Sequence, residues 1–368
     1  MLAAKLGCTQ SYVVSRATQA QSIERRWQRF IHNRRIKIKS IYVPLVMAAI
    51  HKWDGQRLYL ALDTTVLWNQ YCMIHLSIIC GGRAIPLLWK VMKHKSSTVA
   101  FKEYKPMLKL SQQILGKYPD VMLLADRGFA NHKLMNWLKT SQWHYCLRLP
   151  CDVVIHGARK HPIELKYLYP PKSEAVLYRN IGLWLDGKCR SNFVLAQRVR
   201  ADRRLATTGK LCFRVKGARE PWTVITDEDP TLQTLWQYAL RFRIEELFLD
   251  SKSGAFELEE SKVRDRQALE RLYLVVALAV LFATVHGMTV QLKGLRTQVD
   301  PHWERGLSYL KIGIRWLKGV MSKGRDLFTP IPLFSSNLQP CFASKRAKQK
   351  YYDAIWFTRI SELKCFNV

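Results

Sequence analysis

Apolar and polar positions alternate in distinct rhythms along the chain. Residues 1–55 read as helical and basic. Within them Ala3–Ala17 has small residues, a turn glycine at Gly7 and then Ser15 and Arg16, the rhythm of a helix-turn-helix. A plain helical pair is the alternative. Three strand-like runs follow: Leu58–Thr65, apolar until Asp63; Tyr71–Cys80, closed by Gly81 and Gly82; and Ala84–Val91. Helical spacing covers Val99–Leu115. Val121–Asp126 reads as a buried strand ended near Gly128, Asn131–Thr140 as a helix and His144–Leu149 as a strand. Three strands, helix, strand, helix, strand predict an α/β domain with a mixed sheet.

From residue 151 to 230 the rhythm changes. Short β-rich runs (Ala175–Leu177, Asn192–Val199, Leu211–Val215 and Trp222–Thr226) alternate with basic turns. They predict an inserted β-rich subdomain. Helix returns from Thr231. The apolar stretch Leu272–Val285 is shorter than the about 20 residues a bilayer span needs, and His286 and Gly287 close it. It reads as a buried core helix, with no membrane as partner. The remainder is basic and helical, with Trp303–Lys318 its clearest helix. The expected division is therefore 1–55, a helical basic N-terminal region; 56–150, the first part of the α/β domain; 151–230, the β-rich insert; 231–290, the second part of that domain; and 291–368, a helical C-terminal region.

One predicted helix carries more chemistry than the rest. At about 100° per residue, Tyr238, Arg241, Glu245 and Lys252 fall within an arc of roughly 60°, and Leu240, Ile244, Leu247 and Phe248 lie towards the opposite side. One face suits a core. The other presents a phenol, a guanidinium, a carboxylate and an ammonium. A carboxylate takes a hard cation through oxygen, and Arg and Lys take phosphate oxygens. An amphipathic helix with a charged solvent face explains the pattern equally well.

Charge favours the first reading. The 368 residues hold 59 Lys plus Arg against 28 Asp plus Glu, a formal net charge of +31. A polyanion such as nucleic acid is the natural partner for that excess. Twelve Trp and 48% hydrophobic residues exclude a disordered basic tail. Arg25, Arg26, Arg29, Arg34, Arg35, Lys37 and Lys39 form a candidate phosphate-contacting arm; a solvated surface is the alternative. The nine Cys include no Cys-x-x-Cys pair, which argues against a zinc finger, and the odd count points to reduced thiols in a cytoplasmic compartment. No His-Glu-x-x-His, no phosphate loop of the Gly-x-x-x-x-Gly-Lys type and no Gly-x-Ser-x-Gly elbow is present.

Two acids stand out by position. Asp63 follows the apolar run Leu58–Leu62, and Asp126 follows Val121–Ala125. A carboxylate in such a place is costly unless it is paired or metal-bound. Either could instead cap a turn. Brought together with Glu245 they make a three-carboxylate cluster, whose mutual repulsion two divalent cations would relieve while organising in-line attack at phosphorus.

Asp63 in Leu62-Asp63-Thr64-Thr65, Asp126 in Ala125-Asp126-Arg127-Gly128-Phe129, and Tyr238-x2-Arg241-x3-Glu245-x6-Lys252 resemble the signature of DDE transposases of insertion sequences. The last spacing is similar to that of the insertion-sequence-four family. The likeness runs from about Leu58 to Lys252 and continues weakly through Trp303–Ser308. It implies an RNase H-like fold interrupted by a β insertion. It also implies cut-and-paste chemistry with Mg²⁺, Mn²⁺ substituting, at Asp63, Asp126 and Glu245. Tyr238, Arg241 and Lys252 would contact DNA near the cleavage point. Trp222, in Glu220-Pro221-Trp222-Thr223, matches the context of a Trp that stacks on a flipped base in relatives; as a residue in a short strand it reads equally as a core anchor. Arg148 is a candidate phosphate contact. The partners implied are double-stranded DNA at terminal inverted repeats, target DNA and a second copy of the chain, in a bacterial, nucleoid-associated setting. Two rivals remain: an RNase H-like nuclease that cuts without joining, and a non-catalytic or domesticated DNA-binding derivative.

Overall fold

The computed structural model describes residues 20–53, 56–197, 221–261, 263–300, 307–324, 327–328, 333, 360 and 363–368. The helix-turn-helix rhythm at Ala3–Ala17, the run Leu211–Val215 and residues Trp303–Gly306 lie outside them.

Two helices, α1 (Ala20–His32) and α2 (Ile38–Ala49), lead into an antiparallel meander of β1 (Leu58–Leu67), β2 (Tyr71–Cys80) and β3 (Arg83–Lys93). From β3, α3 (Phe101–Ile114) crosses to β4 (Val121–Ala125), parallel to β1. Then α4 (His132–Ser141), capped by the Asn131 side chain, leads to β5 (His144–Arg148), parallel to β4. The spatial order is β3-β2-β1-β4-β5. This is the mixed α/β sheet predicted from the sequence.

The central strands are apolar on both faces because both faces are covered. Every residue of β4 is buried, and alternation sorts them. Met122 and Leu124 join an apolar cluster with Cys146, Val224 and Tyr238, whereas Leu123 and Ala125 join the main core with Tyr104, Leu134 and Leu147.

Beyond β5 the sheet continues. β10 (Trp222–Thr226) pairs antiparallel with β5, then come β9 (Cys189–Ala196), β8 (Glu174–Leu183), β6 (Val154–His156) and β7 (Ile163–Glu164), with β11 (Lys364–Asn367) parallel to β8. Among the described residues, the β-rich segment therefore extends the central sheet through β10 and does not form a sheet of its own.

After β10, a capping box of Thr231 and Thr234 starts α5 (Leu232–Ala239), which lies over the Met122–Leu124 face. Next come α6 (Arg243–Leu249), α7 (Arg266–Leu292) and α8 (Tyr309–Lys323). α7 contains the stretch Leu272–Val285 and extends past it at both ends. His286 and Gly287 lie inside it and do not end it. By length and composition α7 could cross a membrane, yet most of its residues are buried here, against α8, β3 and α1. Its contact with α8 is close. A Cβ on Gly287 would run into the Tyr309 carbonyl oxygen, and one on Gly313 into that of Ala283.

Candidate active site

The parallel strands β1, β4 and β5 all point their carboxyl ends the same way, the usual location of a site in an open sheet. The last paired residues of β1 and β4 are Leu62 and Ala125. Asp63 and Asp126 come next, on strands about 4.8 Å apart. β1 runs on to Leu67 beside β2, while β4 stops at Ala125, so Asp63 sits where β1 loses its parallel neighbour. Parity in β4 puts Asp126 on the face of Met122 and Leu124, which is the face that α5 covers. Each carboxylate accepts a hydrogen bond from the next backbone amide, Thr64 N–H to Asp63 and Arg127 N–H to Asp126, both at 2.7 Å.

The helical segment does not keep the uniform rotation that the sequence pattern assumed. α5 ends at Ala239, a 3₁₀ turn spans Leu240–Phe242, α6 runs from Arg243 to Leu249, and a π turn follows over Asp250–Gly254. Both sides of this segment meet protein. Ile244 and Leu247 pack into the main core, and Tyr238 is buried in the second cluster. Arg83 fastens α6 to β3 through Glu246 at 2.6 Å and Asp250 at 3.4 Å.

Arg241 is the hub. Its Nη1 donates to Asp63 Oδ2 at 2.7 Å and its Nη2 to Glu245 Oε1 at 2.9 Å. Its side chain is only 4% exposed, and Glu245 is 53% exposed, so the cluster is sealed on one side and open on the other. The guanidinium carbon lies 4.6 Å from the ring centroid of Phe242 and 5.7 Å from that of Tyr238. Burial is the largest influence on Arg241 and works against its charge. Tyr238 and the carboxylates of Asp63, Asp126 and Glu245 outweigh it, and the guanidinium stays charged well above the ordinary range. Burial pushes the Asp63 carboxyl up to about 6; Arg241 and the Thr64 amide oppose that rise, and Asp126 and Glu245 add to it. Asp126 and Glu245 thus both act on Asp63 and on Arg241.

Oxygen donors of this kind suit a hard divalent cation. Among the described residues, however, no group of three or more His, Cys, Asp or Glu side chains is gathered so as to hold a metal ion as it stands. A guanidinium bonds two of the three acids.

The remaining residues singled out from sequence are placed as follows. Lys252 donates to the Val66 carbonyl at 2.6 Å and lies 3.6 Å from Glu259, tying the π turn to β1 just past Asp63. Arg148 is buried on β5, donates to the Pro221 carbonyl at 3.3 Å, and acts electrostatically on Tyr238. Trp222 is 3% exposed, stacked on Phe242 at 5.8 Å and edge-on to Tyr238 at 5.2 Å. A ring enclosed in this way offers no face to a base. Of its two readings the structure favours the core anchor, because β10 is covered on both sides. Tyr238 is likewise fully buried and presents no surface to DNA.

Sequence reasoning missed one connection. The Thr64 hydroxyl donates to the Ser97 carbonyl at 2.7 Å, which holds the loop after β3 beside Asp63. Lys93 at the end of β3 and Lys95 on that loop are exposed, whereas Lys90 is occupied by Glu103 at 2.8 Å. No spacing in the sequence signals this contact.

Residues 69–282, more than half of the chain, match the family described as a transposase DDE domain. The chain belongs to the DDE transposase family. The matched segment includes Asp126, Tyr238, Arg241, Glu245 and Lys252, and Asp63 lies just before it. Among solved structures, a piggyBac transposase synaptic complex with hairpin DNA superposes on this DDE-family chain with a TM-score of 0.36 and 10% identity, covering 82% of this chain and 57% of that one. The chain thus spans little more than half the length of that relative. No curated protein sequence matches the chain.

Proposed function

We propose that this DDE-family protein is a DNA transposase of the insertion-sequence-four type. It would cut at the ends of an insertion sequence and join them to target DNA. Asp63, Asp126 and Glu245 would hold Mg²⁺, with Mn²⁺ as a substitute. A divalent cation there supplies Lewis acidity and charge neutralisation for in-line displacement at a phosphodiester. The chain's own residues supply the frame. β1 and β4 fix the two aspartates, α6 presents Glu245 on the open side, Arg241 bridges the acids, and Lys252 anchors the π turn to β1. Water attacks first, at the transposon end. The freed 3′-hydroxyl then attacks the opposite strand to give a hairpin, which is reopened before the 3′-end attacks target DNA.

The partners in this reading are terminal inverted repeats, target DNA and a second copy of the chain, in the nucleoid. The net charge of +31 supports sequence-independent affinity for DNA that falls steeply with salt. The observation that supports the reading is the bridge Arg241 makes between Asp63 and Glu245, with Asp126 ending the strand beside Asp63.

The test is cleavage of a labelled transposon-end duplex with Mg²⁺, followed by strand transfer with pre-cut ends. Both activities are expected. Cutting without joining would assign the chain to the nucleases. End binding with no metal-dependent cleavage would make it a non-catalytic derivative.

A further inference from the structure

We infer that Arg241 is the resident counter-cation of the acidic site: its guanidinium holds Asp63 and Glu245 together until a divalent ion takes the same oxygens and displaces it. This rests on the metal-site reading above and goes beyond it, because it gives Arg241 a role towards the metal in place of direct contact with DNA in the resting protein.

The geometry supports exchange over permanent bridging. Arg241 spends Nη1 on Asp63 and Nη2 on Glu245, and its Nε has no hydrogen-bond partner among the described residues. The ring faces of Phe242 and Tyr238 also flank the guanidinium, and Asp126 acts on it electrostatically. The acids that hold it are also the hard oxygen donors a divalent cation needs. A cation that takes Asp63 Oδ2 or Glu245 Oε1 competes with the guanidinium for that oxygen.

Charge makes the competition specific. Three carboxylates carry three negative charges, and Arg241 cancels one. One divalent ion then completes neutralisation. A second would leave an excess of positive charge, which a DNA phosphate would balance. The displaced guanidinium has the same phosphate as its natural acceptor, since Arg and phosphate form strong bidentate pairs. Release of Arg241 would thus couple cation entry to substrate entry, with no covalent step involved.

The test is Mn²⁺ binding to the full chain without DNA, followed by electron paramagnetic resonance, for wild type, Arg241→Gln, Arg241→Lys and Asp63→Asn. Arg241→Gln is expected to bind Mn²⁺ about ten- to a hundredfold more tightly, the equivalent of releasing one hydrogen bond to a charged group. Arg241→Lys, a single-point donor that cannot bridge two acids, should fall between it and wild type. Asp63→Asn should bind most weakly. Equal or weaker binding by Arg241→Gln, with Asp63→Asn still impaired, overturns the counter-cation role and leaves the metal site standing. Equal binding by wild type and Asp63→Asn sinks the metal site and this inference with it. If Arg241→Gln does not fold, the wild type alone decides. Hydrogen exchange of the Arg241 guanidinium should quicken when Mg²⁺ saturates the site, and unchanged protection overturns the inference.

Discussion

Two helical segments cover this sheet and are built in opposite ways. α7 is one long α-helix, apolar nearly all round, with small residues where α8 crosses it. The segment from Leu232 to Gly254 changes helix type three times and mixes buried charge with buried rings. Uniform winding lets α7 bury surface continuously, so its worth lies in packing. Broken winding re-aims successive side chains, so Arg241 reaches β1 while Ile244 and Leu247 still reach the core. Substitutions should therefore separate the two: stability from one, chemistry from the other.

The largest expected effect lies in the broken segment. Glu245→Gln should lower end cleavage by about a thousandfold or more, roughly 4 kcal/mol of barrier, with an unchanged melting temperature because Glu245 is half exposed. A large fall in melting temperature would merge the two classes. Next comes Trp222→Ala. A ring buried between Tyr238 and Phe242 should cost about 3–5 kcal/mol of folding stability, read by urea denaturation. Normal stability with lost DNA binding would restore the base-stacking role. In the uniform helix pair, Gly313→Ala should cost about 1–3 kcal/mol because its Cβ meets the Ala283 backbone. Cleavage per folded molecule should stay unchanged.

The smallest effect concerns His75, on β2 opposite Asp63 and packed between Phe248 of α6 and Tyr273 of α7. Burial lowers its imidazole to about 3 from an ordinary 6.5. Below pH 6.5 the unfolded chain takes up a proton that the folded one refuses. Stability is therefore complete above that pH and falls below it by up to about 1.4 kcal/mol per unit. His75→Phe should remove this slope between pH 6.5 and 5 in denaturation midpoints, and parallel profiles for the two proteins would contradict it.

The parts of the molecule that were legible in sequence are those where one local pattern suffices. Tyr71–Cys80 and Trp222–Thr226 are strands over the ranges their apolar runs predict. Asp63 and Asp126 could be singled out because a carboxylate ending an apolar run is expensive. The break at Leu240–Phe242 was not legible, because no Gly or Pro marks it, and neither was the long-range bond from Arg241 within it to Asp63. Nor was the burial of Tyr238 and Trp222, which depends on two clusters meeting around one helix. β6, β7 and β11 have two to four residues each, too few to carry an alternation.

The central claim is that three acids on separate elements work as one unit, and cleavage rates for Asp126→Asn, Glu245→Gln and the double variant test it most directly. Groups that act together are lost together, so each single substitution should reduce Mg²⁺-dependent cutting of a transposon-end duplex nearly as far as the pair does. Full cutting by either single variant, or a double loss equal to the product of two modest ones, would contradict the account.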